Sequence, residues 1–239
     1  MDGCSSSTSL SGISFIDLTR YVMYCYQRYY HFPDTFHMKE KPWLHKQLIP
    51  LIVYIFVILT IFIAKFFLPS NYVISIAALL MLFPILLKAD GTFFKLDFKG
   101  VLLGLGVSIV LLCIYVVVIT FYGYYIGKSL VVNALSISFL LTQLLMVTLP
   151  EEVFFRGYLQ NKLGNNIRGV IIVSLLFALG HFITLCIAGG HNVAICSQAV
   201  LTFFPSLVMG YLYLKTKTLW ASIIFHFFAN IVHIAVALS

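Results

Sequence analysis

Seven apolar runs follow one another along this chain, and no soluble fold has use for them. They are Leu48–Leu68, Tyr72–Leu87, Gly100–Tyr122, Asn133–Phe155 continuing to about Leu163, Gly169–Ile187, Ala194–Leu214 and Leu219–Leu238. A helix needs about 20 apolar residues to cross the hydrocarbon core, and backbone in that layer must satisfy its own hydrogen bonds. The runs are continuous rather than alternating and their connections are short, which excludes a barrel. Of 239 residues, 61% are hydrophobic and 10% charged, against about 25% charged in a soluble domain. The expected fold is therefore an all-α integral membrane protein, a polytopic bundle of about seven transmembrane helices. The second run is short and carries Pro84, so its ends are the least defined.

The runs divide the chain into residues 1–47, a cytoplasmic or interfacial leader; residues 48–132, three N-terminal spans; and residues 133–239, a core of four spans. Within the leader, Ile13–Tyr30 mixes aromatics with Arg20 and Arg28, a composition suited to a helix lying in the membrane interface; a loosely ordered tail is the alternative. No basic segment leads into a short apolar stretch and a cleavage site, so no cleaved signal is expected. Basic residues fall in alternate connections. Arg20, Arg28, Lys39, Lys41 and Lys46 precede the first run; Lys88, Lys95 and Lys99 follow the second; Arg156, Lys162 and Arg168 follow the core of the fourth; Lys215 and Lys217 follow the sixth. Thirteen of the 15 cations thus share one side, with Lys65 and Lys128 on the other. By the positive-inside rule the N-terminus is cytoplasmic and the C-terminus external. The net charge of +7 is explained by these loops and calls for no nucleic-acid partner.

Six of the eight acidic residues lie in the leader or in loops. The other two, Glu151 and Glu152, are adjacent, follow Pro150 and sit inside a helical run, where ionisable groups are costly and point to function. Glu152 and Arg156 are spaced i, i+4 with the acid first, the favoured order for an ion pair. Glu151 points about 100° away with Phe155 at its own i+4 position, so it has no local cation. Desolvation would push such a carboxyl toward a general base, and Pro150 opens the helix beside it. A purely structural role for both glutamates is the competing reading. Two other runs carry polar groups at similar depth: His181 in Phe177-Ala-Leu-Gly-His181, and His226-Phe-Phe-Ala-Asn230, whose spacing puts imidazole and amide on one face, with His233 nearly in line. Along ideal helices from the cytoplasmic ends, Glu151 lies about 16–18 Å deep, His181 about 18 Å and His226 about 10–11 Å. These groups suit water activation: Glu151 takes a proton from water held by His181, and His226 and Asn230 donate to the oxyanion formed on a peptide carbonyl.

Glu151-Glu152-x-x-x-Arg156, Phe177-x-x-x-His181 and His226-x-x-x-Asn230, in this order, resemble the CPBP family. Its members are the CAAX proteases and bacteriocin-processing enzymes, also called the Abi family, and include the Rce1-type endopeptidases. The resemblance covers about Thr142–His233 and extends to Phe155-Arg156-Gly157. It implies a glutamate-dependent intramembrane endopeptidase with a site open to the cytoplasm. Glu151 would activate water, His181 assist, and His226 with Asn230 form the oxyanion hole, with Glu152 and Arg156 supporting.

Two other readings use the same residues. A zinc metalloendopeptidase would take Glu151, His181 and His226 as a His₂Glu set. Against it, the H-E-x-x-H helix is absent and no partner carboxylate is apparent for either histidine, so the expected cofactor is none. A non-catalytic membrane scaffold or immunity protein would keep the residues without turnover. A transporter would show interruptions in two repeated halves, and none are found. The five cysteines have no metal-binding spacing; Cys186 and Cys196, at the external ends of runs five and six, can form a disulfide. Expected partners are the lipid bilayer and a membrane-associated protein or peptide, lipidated if the source is eukaryotic. The membrane would be the plasma or inner membrane of a prokaryote, or the ER membrane of a eukaryote.

Overall fold

The computed structural model describes residues 42–87, 95–189 and 192–238; the leader helix expected at Ile13–Tyr30 lies outside them. The described residues from Trp43 onward form one compact unit, which carries the fold. Among the described residues there are seven helices: α1 (Pro42–Phe67), α2 (Ser70–Leu87), α3 (Phe98–Tyr125), α4 (Ile137–Leu163), α5 (Ile167–Ile187), α6 (Val193–Thr216) and α7 (Trp220–Ala235). Five are long and apolar enough to cross a membrane, whereas α2 and α7 are apolar but shorter. The protein is an all-α polytopic membrane protein.

Local chemistry sets the helix starts. Asp97 caps α3 by accepting from the backbone N–H of Lys99 and Gly100, both at 3.1 Å. Ser136 caps α4, Asn166 caps α5 and Asn192 caps α6, each replacing a hydrogen bond that a first helical turn lacks. Two boundaries differ from expectation, while α2 ends at Leu87 as expected, with Pro84 inside it. Helix α1 begins at Pro42, inside the stretch assigned to the leader. Helix α7 stops at Ala235, and Val236–Leu238 forms a strand (β2) antiparallel to Leu130–Val132 (β1).

Side-chain contacts give the helix directions. Tyr54 donates to the carbonyl of Leu176 and Lys65 to that of Thr184 at 2.6 Å, so α1 runs parallel to α5. A Cβ on Gly100 would meet Thr218, and one on Gly104 would lie 2.7 Å from the Ala221 carbonyl oxygen. Helix α3 is therefore parallel to α7, and the β1–β2 pair ties their far ends together. Parallel α3 and α7, joined through α4, α5 and α6, fit a chain that reverses at each connection. Cys186 and Cys196 are disulfide-bonded, linking the end of α5 to the start of α6.

Helix α4 is the centre, packed by α2, α5, α6 and α7. Phe154, Phe155, Leu159 and Phe177 form the core with Tyr54 and Ile58 of α1. The outer surface is apolar: Ile109, Val110, Val117 and Phe121 of α3 are all more than half exposed, as a lipid-facing helix requires.

Candidate active site

Two stretches of α4, Gln143–Thr148 and Val153–Gln160, are wound as π-helix, leaving Leu149–Glu152 as an α-turn between them. Pro150 has no N–H to give to the turn before it, which favours such a wide turn. A third π-turn, Phe182–Ile187, begins immediately after His181. Wide turns of this kind concentrate at functional sites because they re-aim side chains; periodicity in the sequence does not reveal them.

Glu152 and Arg156 pair as their spacing predicts, Arg156 Nε lying 3.4 Å from Glu152 Oε2 with neither side chain exposed. Arg156 also donates through Nη2 to Ser206 Oγ at 3.1 Å and to the Ser206 carbonyl at 3.3 Å, and its guanidinium lies 5.2 Å from the centre of the Phe177 ring. The other oxygen of Glu152 accepts from His226 Nδ1 at 2.9 Å. His226 Nε2 then lies 3.5 Å from Glu151 Oε2. The result is a ladder, Ser206–Arg156–Glu152–His226–Glu151, and of its ionisable side chains Glu151 is the most exposed, at 15%. The expected absence of a local cation beside Glu151 does not hold: Arg156 of α4 interacts with it electrostatically, and His226 of α7 stands at ion-pair distance. Glu151 Oε2 makes no hydrogen bond among the described residues.

His181 joins this group through an aromatic ring. Its Nδ1 is 3.0 Å from the Phe177 carbonyl, and its ring centre is 4.3 Å from that of Phe177, which in turn packs edge-on against His226 at 5.8 Å. Asn230, one turn beyond His226, donates to Gln143 Oε1 at 3.5 Å. His233 is exposed on α7 and stands apart from the ladder. Sequence reasoning passed over Ser206 and Gln143. The one available signal was a polar residue within each apolar run.

Residues 132–232 match the family model described as Type II CAAX prenyl endopeptidase Rce1-like. This region is similar to the Rce1-like endopeptidases. The match contains all of α4, α5 and α6 and most of α7, and therefore every member of the ladder with His181 and Asn230. Helices α1 to α3 lie outside it. Searches of curated proteins and of solved structures found no match. The matched family is one of endopeptidases, and the match covers under half of the chain.

The zinc reading can be tested against geometry. No group of three or more His, Cys, Asp or Glu among the described residues is arranged to hold a metal ion. His226 directs its two nitrogens at separate carboxylates, and His181 commits Nδ1 to a backbone carbonyl. One sequence argument against zinc does fall, because Glu152 is a partner carboxylate for His226. The three-ligand set is nevertheless not assembled.

Proposed function

We propose that this protein is an intramembrane endopeptidase that hydrolyses a peptide bond of a membrane-associated protein, with Glu151 as the base and without a metal. The observation that carries this reading is the division between the two adjacent glutamates. Glu152 is fully buried between Arg156 and His226, whereas the Glu151 side chain is 15% exposed and meets His226 Nε2 only at 3.5 Å.

The remaining assignments follow from donor and acceptor chemistry. A carbonyl can only accept, so the His181 Nδ1 facing Phe177 carries the proton and Nε2 offers a lone pair to a water hydrogen. Glu151 takes the other proton of that water, and the resulting hydroxide attacks the substrate carbonyl. The Glu152 carboxylate likewise places a proton on His226 Nδ1. Donation to an oxyanion from Nε2 then requires imidazolium, and that form makes the ladder of Arg156, Glu152, His226 and Glu151 neutral as a whole. Asn230 Nδ2 is the second donor. Glu151 finally returns its proton to the departing amine.

The N-terminus is assigned to the cytoplasm and the C-terminus to the outside or lumen. Thirteen of 15 cations support this, as does a disulfide at the opposite end of the bundle, where an oxidising compartment favours one. The substrate class we infer is a peptide tail held at the membrane, prenylated where the host prenylates proteins.

The test uses purified protein in micelles and two quenched fluorogenic peptides, one with an S-farnesyl cysteine three residues from its end and one unmodified. Wild type should cleave at least one of them, unaffected by a zinc chelator. Glu151→Gln should lower the rate by about 10²–10⁴-fold while keeping the wild-type melting temperature. Full activity in Glu151→Gln would remove it as the base. Loss on chelation with recovery on added zinc would restore the metal reading, and cleavage of neither peptide would favour a non-catalytic scaffold.

A further inference from the structure

Asn230 is useful as an oxyanion donor only if its carboxamide presents nitrogen rather than oxygen to the substrate. The two ends of that group have nearly the same shape, and a half-turn about its last torsion exchanges them. In the wrong orientation the amide oxygen would face the developing negative charge. Some neighbour must therefore choose between them. His226 cannot, since its nitrogens face Glu152 and Glu151.

Gln143 is placed to make that choice. Helices α4 and α7 meet with opposite direction: the glutamates at 151 and 152 lie against His226, and Gln143, earlier on α4, lies against Asn230, later on α7. Gln143 opens the π-turn Gln143–Thr148, is half-buried, and turns Oε1 toward Asn230 Nδ2 at 3.5 Å. While Gln143 presents Oε1, which accepts and does not donate, this contact favours the Asn230 rotamer whose NH₂ lies on the Gln143 side. One hydrogen of that NH₂ is used by Gln143, leaving the second for a ligand.

We propose that Gln143 is a positioning residue that fixes the donor orientation of Asn230; the proposal rests on the protease reading of the site. Gln143 touches no reacting atom in this arrangement and acts only through Asn230.

Three variants, assayed with whichever fluorogenic peptide wild type cleaves, test it. Gln143→Met keeps length and removes the acceptor; kcat should fall about tenfold, less than the about 10²–10³-fold of losing an oxyanion donor outright, with KM and melting temperature near wild type. Gln143→Glu keeps the acceptor oxygen and should retain most of kcat. Combined with Asn230→Ala, Gln143→Met should lower the residual rate no further. Wild-type kcat in Gln143→Met, an equal fractional loss in the Asn230→Ala background, or a loss that tracks melting temperature alone and is shared by Gln143→Glu would each overturn the proposal. Failure of the underlying reading looks different: an active Glu151→Gln removes the base, whereas an inactive Glu151→Gln beside a fully active Gln143→Met removes only the role of Gln143.

Discussion

Glu152 shares its two oxygens between two cationic or potentially cationic partners, Arg156 within its own helix and His226 from α7. Burying either charge of the pair alone is far more costly than burying both, because the survivor loses its counter-charge where water cannot replace it. Glu152→Gln should therefore destabilise the protein by about 3–5 kcal/mol, read as a lowered unfolding midpoint in micelles. Glu152→Gln combined with Arg156→Met should recover part of that loss, since no buried cation is then left unpaired. A single variant as stable as wild type would mean that the pair does not hold α4 in place. The Glu152–Arg156 half of this arrangement was legible in the sequence, since i, i+4 spacing within one helix settles who can meet whom. The His226 half was not, because it joins residues 74 positions apart, and no local rule says which face of α7 meets α4. The same limit hid Ser206, whose part depends on where α6 passes Arg156.

At the level of whole helices, α3 and α7 meet through small side chains. Gly100, Gly104 and Ser108 recur every fourth residue and are the buried positions of α3, with Gly123 near its end, the pattern by which membrane helices bring their backbones close. A Cβ at Gly104 would stand 2.7 Å from the Ala221 carbonyl oxygen and 2.8 Å from its Cα, both backbone atoms that cannot move without moving α7. Gly106, two residues on, faces outward, and a Cβ there meets nothing within 4 Å. Both substitutions by alanine gain similar helix propensity, so the pair isolates the packing. Gly104→Ala should destabilise by about 1–3 kcal/mol, and Gly106→Ala should be neutral or slightly stabilising, by thermal unfolding in the same micelles. Equal effects at the two positions would show that the close approach is not required. The existence of seven apolar helices was readable from hydropathy, because the bilayer sets their length and forbids unpaired backbone. Their internal winding was not. The π-turns flanking Leu149–Glu152, and the end of α7 at Ala235, come from tertiary packing and strand pairing that hydrophobic runs do not encode.

For the molecule as a whole, the proposed orientation rests on observations that do not share a cause. Cations cluster by the connection in which they lie, a property of the sequence. The parallel pairs α1 with α5 and α3 with α7, with the β1–β2 link and the disulfide, are properties of packing, and they put the ends of α1, α3, α5 and α7 away from the basic connections. Lys65, one of the two exceptions to the charge pattern, is held by the Thr184 carbonyl at the end of α5, where a helix terminus favours a cation. Lys128 and Lys162 are both exposed and lie beyond opposite ends of α4 or in its last turn, so one helix separates them. With Cys4, Cys25 and Cys113 replaced by serine, Lys128→Cys should react with a membrane-impermeant maleimide in intact spheroplasts of a bacterial host. Lys162→Cys should react only after the membrane is opened. The reverse pattern would invert the assigned orientation without disturbing the fold. Labelling of both from one side would deny that α4 crosses the bilayer, and with it the depth that makes Glu151 unusual.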